Sequence, residues 1–220
     1  MNIPVTVSDP RAALPRVPGG APGRGCLLLA NHMSYLDVVV IAAHAPAVFV
    51  TSREVEETPI LGLVSRAAGC IFVERRSRAT VHRDIDAITA VLNAGHNVVL
   101  FPEGSTSNGE RFLEFKRTLL ESAIRSRCAV LPLCLRYDRV AGRPFGPANR
   151  DRVAWYGPMT FFPHLLGLLR TSSVEASLQV LAAPAFRDHK CRKRLSADIE
   201  RQLAAAYAVP PAVADLGLLP

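Results

Sequence analysis

The chain has 220 residues, of which 49% are hydrophobic and 20% charged, and it carries a formal net charge of +7. That length suits one domain, or one with small additions, and a sizeable core; the composition excludes a disordered or fibrous chain. The basic balance favours anionic partners (nucleic acid, anionic lipid or a phosphorylated substrate), although a bias toward arginine accounts for it as readily, since the lysines are Lys116, Lys190 and Lys193 alone.

Residues 1–24 read as an irregular arm, because Pro4, Pro10, Pro15, Pro18 and Pro22 and three glycines discourage regular structure. They contain no apolar segment of the signal-peptide kind. A strand is expected over Gly25 to Ala30 and a helix over Tyr35 to Ala43, ending before Pro46. Ala47 to Ser52 is a short apolar strand. Thr58 and Pro59 look like a helix cap followed by proline at the first helical position, with the helix running to about Ala68 and Gly69 closing it. Cys70 to Glu74 is the next strand.

From Thr80 to Asn93 the residues Val81, Ile85, Ile88, Val91 and Leu92 recur at helical spacing. Asn97 to Phe101 is a continuously apolar strand, the kind covered on both faces. A loop leads to a helix around Lys116 to Ser126. Ala129 to Tyr137 is a strand containing Pro132, which points to a sheet edge or a bulge. After a polar loop over 139–152 come a short strand at Val153 to Tyr156, an apolar helix at Phe161 to Leu169, and a strand at Ser173 to Ala183. A charged helix spans Lys190 to Tyr207, and a tail runs from 209 to 220. Strands alternating with helices imply an α/β layered fold whose sheet is largely parallel. The main domain is thus 25–208.

The five cysteines, Cys26, Cys70, Cys128, Cys134 and Cys191, form no CxxC pair and no metal-ligand spacing. Most lie in apolar runs, which fits reduced, buried thiols and a reducing cytosolic setting. No run approaches the roughly 18 apolar residues of a spanning helix. There is no serine-hydrolase elbow, phosphate loop or dinucleotide fingerprint. The basic charge lacks the interleaved aromatics of a nucleic-acid surface, and the scattered histidines indicate no metal site.

Three stretches carry chemistry. In Asn31-His32-Met33-Ser34-Tyr35-Leu36-Asp37, a histidine and a carboxylate flank a strand-to-helix junction. Histidine is the commonest general base near neutral pH, and a carboxylate on its other ring nitrogen orients it; alone, such a pair also serves structure. Phe101-Pro102-Glu103-Gly104-Ser105-Thr106 follows a buried strand, where α/β proteins place their sites. It is also compatible with an ordinary tight turn. Gly69-Cys70-Ile71-Phe72-Val73-Glu74-Arg75-Arg76 brings two arginines to a strand end, as an anion clamp or as solvated loop charge.

In this order the three blocks resemble the glycerolipid and lysophospholipid acyltransferase family. Its Asn-His-x4-Asp block falls at Asn31 to Asp37, its Gly-x-x-Phe-x-x-Arg block at Gly69 to Arg75, and its Phe-Pro-Glu-Gly block at Phe101 to Ser105. Its Val-x-Pro strand falls at Val130 to Pro132, and Phe115-Lys116 matches a further element. The resemblance covers about residues 25–185. It implies that His32 is the base, that Asp37 orients it, and that an acceptor hydroxyl attacks an acyl thioester directly. The thioester, from CoA or acyl carrier protein, is a co-substrate, and no cofactor or metal is implied. Arg75, Glu103, Gly104, Ser105 and Thr106, with Lys116, would bind the acceptor's head group.

The family's commonest acceptor is 1-acyl-sn-glycerol-3-phosphate, giving phosphatidate, and that is the first expectation here. One departure keeps lyso-ornithine lipid or another lysophospholipid open. Phosphatidate-forming members usually place arginine after Phe-Pro-Glu-Gly-Thr/Ser, where this chain has Thr106. Trp155 to Met159 and Pro163 to Leu165 resemble the lyso-ornithine lipid branch. A peripheral site on the cytoplasmic face of a bacterial membrane is implied, with Met159 to Leu169 or the basic terminal helix able to touch lipid; a plain core helix explains the first equally well, and a solvated face is the readier account of the second. A non-catalytic lipid-binding relative is the competing class, and thioesterase-like hydrolysis a third.

Overall fold

The computed structural model describes residues 5–8, 23–74, 80–184 and 191–208. An eight-stranded sheet forms its centre. Its strands are β1 (Val5–Ser8), β2 (Cys26–Ala30), β3 (Val48–Ser52), β4 (Ile71–Val73), β5 (Val98–Leu100), β6 (Ala129–Val140), β7 (Arg143–Pro144) and β8 (Val174–Val180). The order across the sheet is β1-β8-β6-β2-β5-β3-β4, with β7 hairpinned onto β6. β2 runs parallel to both β5 and β6, β3 is parallel to β5 and β4, and β1 is parallel to β8. Only the β6–β8 and β6–β7 pairs are antiparallel among the described strands. The expected α/β architecture, largely parallel and flanked by helices, is what the chain adopts.

The central strands are apolar throughout because helices cover both faces. Alternation along β2 deals its residues to two cores. Leu28 and Ala30 face Leu36, Val40 and Ile41 of α1 (Leu36–Ala42) and Leu168 of α6 (Phe161–Leu169). Leu27 and Leu29 face Ile88 and Leu92 of α4 (Val81–Asn93), Ala123 of α5 (Glu121–Ser126), and Leu195, Ile199 and Leu203 of α7 (Arg192–Ala208). The short helices α2 (Arg53–Glu56) and α3 (Leu61–Ala67) follow β3.

Four local expectations are corrected. Within the arm read as irregular, Val5–Ser8 forms an edge strand, its β-branched Val-Thr-Val run pairing with β8. Pro132 lies in a central strand, between β2 and β8, rather than at an edge. Its carbonyl accepts from Leu181 N–H at 2.9 Å, just past the end of β8, so its missing donor faces the open end of that ladder. The segment Val153 to Tyr156 is not a strand; Trp155 instead donates its backbone N–H to Met33 O at 2.8 Å. Thr58 and Pro59 do not open α3. The Thr58 hydroxyl turns back to Glu54 O, and the helix begins at Leu61, after Ile60 at φ 69°.

β2 and β5 both end at the same side of the sheet, at Ala30 and Leu100. The loops leaving these adjacent parallel strands, 31–35 and 101–117, therefore meet above the sheet, the position where such folds assemble sites.

Candidate active site

Asn31 begins the turn after β2. It is buried, and its side-chain amide donates to Leu135 O at 2.9 Å while accepting from Leu135 N–H at 2.8 Å. The amide thus carries the β2–β6 ladder one rung past the strand's end. Asp37, in the first turn of α1, is 0% exposed. Its Oδ2 accepts from Met33 N–H at 2.7 Å, Ser34 N–H at 2.9 Å and His32 Nδ1 at 2.8 Å. Its Oδ1 accepts from the Tyr137 hydroxyl at 2.5 Å. Ser34 Oγ accepts from Leu36 N–H and is itself buried, which suits a helix-start cap rather than a nucleophile.

His32 is held by its main chain as firmly as by its ring. Its N–H donates to Glu103 Oε1 at 2.8 Å, and its carbonyl accepts from the Ser107 N–H at 2.9 Å and the Ser107 hydroxyl at 3.3 Å. The ring stacks on Phe101, with centroids 3.9 Å apart. Because the Asp37 carboxylate accepts at Nδ1, that nitrogen carries the proton and Nε2 keeps its lone pair. The ring is 17% exposed and lines a cavity of about 460 Å³.

That cavity has both polar and apolar lining. Gly104, Ser105, Thr106 and Lys116 line it together with His32. Gly104 adopts φ 65°, and a Cβ there would come within 2.9 Å of Lys116 Cδ, so the lysine side chain lies across the glycine. Phe49, Val55, Leu61 and Val64 give it apolar surface beside Ser52, Glu54, Thr58 and Ser65, and Tyr35, Trp155 and Tyr156 add aromatic lining.

Of the residues expected at a site, His32, Gly104, Ser105, Thr106 and Lys116 converge on this cavity. Asp37 lies behind His32. Glu103, expected against the acceptor, sits behind the wall instead: it is 2% exposed, and its second oxygen accepts from Leu113 N–H at 2.7 Å. Burial raises its pKa from 4.5 to about 7 against the pull of the two N–H groups. Arg75 falls outside the described residues. Sequence reasoning missed the parts played by Tyr137, Ser107 and Trp155. For Tyr137 the available signal was a tyrosine within an otherwise apolar strand, whose hydroxyl needs a buried partner.

A histidine oriented by a buried carboxylate, exposed to a cleft that also has apolar lining and a lysine, can take a proton from a hydroxyl delivered on a lipid-like molecule. A family model described as Acyltransferase matches residues 5–136. The chain belongs to the acyltransferase family. It is 37% identical over 180 residues to the lyso-ornithine lipid O-acyltransferase of Rhizobium meliloti (strain 1021), covering 79% of this chain and 62% of that protein. It is 38% identical over 128 residues to the 1-acyl-sn-glycerol-3-phosphate acyltransferase of Neisseria gonorrhoeae, covering 58% of this chain and 50% of the relative. The chain thus spans between half and two thirds of these relatives. The crystal structure of the 1-acyl-sn-glycerophosphate acyltransferase PlsC from Thermotoga maritima shares the fold, with a TM-score of 0.64, 19% identity, and coverage of 93% of this chain and 71% of that one.

Proposed function

We propose that the protein transfers a fatty acyl group from an acyl thioester to the hydroxyl of a lysolipid. The observation that carries this reading is the 2.8 Å bond from His32 Nδ1 to buried Asp37 in a ring that lines the cavity. His32 Nε2 takes the acceptor's hydroxyl proton as the oxygen attacks the thioester carbonyl. The C–O bond forms, the C–S bond breaks, and the thiolate leaves with the proton returned by His32. Asp37 stabilises the imidazolium between these steps. The donor is an acyl-CoA or acyl carrier protein.

For the acceptor, the lyso-ornithine lipid class comes forward. The relative so named aligns with 79% of this chain, against 58% for the phosphatidate-forming one, and Thr106 lines the cleft at a position where phosphatidate-forming members usually have arginine. Lysophosphatidate remains the second reading, favoured by the Lys116 ammonium beside Gly104. The protein works at the cytoplasmic face of a membrane. Supporting this are exposed Val39, Ile60, Leu63 and Val64 on the α1 and α3 side and Phe162, Leu166 and Leu169 on α6. No helix of the described residues is long and apolar enough to cross a membrane.

The test is thiol release from one acyl-CoA with lysophosphatidate, lysophosphatidylcholine or lyso-ornithine lipid, for the parent and His32→Ala. Acceptor-dependent release that falls by roughly 10²- to 10⁴-fold in a folded His32→Ala is expected. Near-normal turnover in that variant would sink the reading, release without acceptor would indicate hydrolysis, and no release at all would indicate a lipid-binding relative.

A further inference from the structure

We propose that Tyr137 is a further positioning residue of the reaction, its hydroxyl holding the Asp37 carboxylate in the plane from which it orients His32. This rests on the reading of His32 as the base.

Asp37 Oδ2 already receives three donors, from His32, Met33 and Ser34. That leaves Oδ1, and a carboxylate that is 0% exposed has no access to bulk water for it. A buried carboxylate oxygen without a donor is costly. Tyr137 supplies the donor from β6, 100 residues away in sequence. Without this bond the carboxylate is anchored through Oδ2 alone, and the plane in which it meets Nδ1 is less closely fixed.

The strand is shaped for the task. β6 grips the turn at both ends, through the Leu135 main chain at Asn31 and the Tyr137 hydroxyl at Asp37. Its pairing with β8 shifts register between Tyr137 and Arg139, a bulge of the kind that re-aims a side chain beside a site. Burial next to the Asp37 charge pushes the Tyr137 hydroxyl well above the ordinary phenol range, so it remains a donor at any working pH. Its ring rests against Phe145, with centroids 5.9 Å apart, a contact that a Tyr137→Phe substitution preserves.

The experiment compares the parent with Tyr137→Phe, each with Asp37 intact or combined with Asp37→Asn, as purified full-length chains. Tyr137→Phe is expected to lower kcat by about tenfold or more, the fold-change of losing a hydrogen bond to a charged group. KM for donor and acceptor should hold, and the protein should melt as a folded domain. In the Asp37→Asn background the same substitution is expected to add no further loss, because Tyr137 acts through Asp37. The far-downfield proton NMR resonance of His32 Nδ1–H is a readout that needs no turnover. It should move upfield in Tyr137→Phe, as the carboxylate tilts from the plane in which it meets Nδ1 and the bond weakens. An unmoved resonance together with kcat within about twofold of the parent overturns the proposal. If the parent itself transfers no acyl group, the reading of the base fails while the resonance still decides what Tyr137 does to Asp37.

Discussion

Glu103 Oε1 lies 2.8 Å from the main-chain nitrogen of His32, and the other oxygen of the same carboxyl lies 2.7 Å from that of Leu113. One buried acid therefore ties the turn after β2 to the far end of the 101–117 loop. A family residue expected to touch the acceptor instead secures the backbone that carries the base.

The burial of this carboxyl, which outweighs its two hydrogen bonds, gives stability a pH dependence whose sign is fixed. Burial raises the Glu103 pKa from 4.5 to about 7, so the folded state favours the protonated form. The contribution is complete below about pH 4.5 and is lost as pH rises through about 7. The gap corresponds to about 3 kcal/mol. Denaturant unfolding from pH 4.5 to 8 should show this decline in the parent and not in Glu103→Gln. At pH 5 the variant should be less stable by about 1–3 kcal/mol, since an amide NH₂ cannot accept from a backbone N–H. A parent curve as flat as the variant's would count against the assignment.

Much of this was legible in the sequence because it depends on local pattern. The apolar runs at Gly25 to Ala30 and Asn97 to Phe101 announced strands, the second of the kind covered on both faces, and the spacing of Ile85, Ile88 and Leu92 announced α4. The pairing of His32 with Asp37 was readable because both lie within one turn. What could not be read depends on register between distant strands. Tyr137 reaches Asp37 because β6 lies beside β2, and Pro132 sits centrally because β8 ends opposite it. Glu103 looked like a ligand-facing acid because nothing local reveals that its oxygens find backbone donors at His32 and Leu113.

Asn31→Ala should cost stability well beyond a typical surface substitution. It strands both the N–H and the carbonyl of Leu135, each bonded to the Asn31 amide within 2.9 Å and buried. At about 1–3 kcal/mol for each of the two unsatisfied buried groups, a loss of about 2–6 kcal/mol is expected in guanidinium unfolding. Acyl transfer should fall too, because His32 follows directly on the loosened residue. A variant that unfolds at the parent's midpoint would show that the Asn31 bridge does not hold the turn.

Gly104→Ala tests the part of the cleft lined by Gly104 and Lys116. The φ of 65° disfavours any side chain, and the new Cβ would press on Lys116 Cδ at 2.9 Å and Nζ at 3.0 Å. The backbone cost is about 1–2 kcal/mol. The displaced ammonium should raise KM for an anionic acceptor several-fold while kcat stays within about threefold, and Lys116→Met should reproduce the KM effect without the loss of stability. Unchanged KM in both variants would remove Lys116 from the acceptor's path.

Thr106→Arg addresses head-group choice. Thr106 is half-buried and lines the cavity together with Ser105 and Lys116. A threonine hydroxyl there offers one neutral hydrogen bond, whereas a guanidinium offers a planar, charged fork matched to a phosphate. If the acceptor is phosphate-free, the parent has no use for that fork and should prefer lyso-ornithine lipid over lysophosphatidate. The arginine variant should then gain on lysophosphatidate by roughly tenfold in kcat/KM relative to lyso-ornithine lipid, the effect of one charge-assisted pair. The ratio is the quantity to measure, because both acceptors share His32 and the thioester, so damage to the base or the donor site cancels. A ratio that does not move would place selectivity elsewhere in the cleft, with the aromatic wall of Tyr35, Trp155 and Tyr156 the next surface to vary.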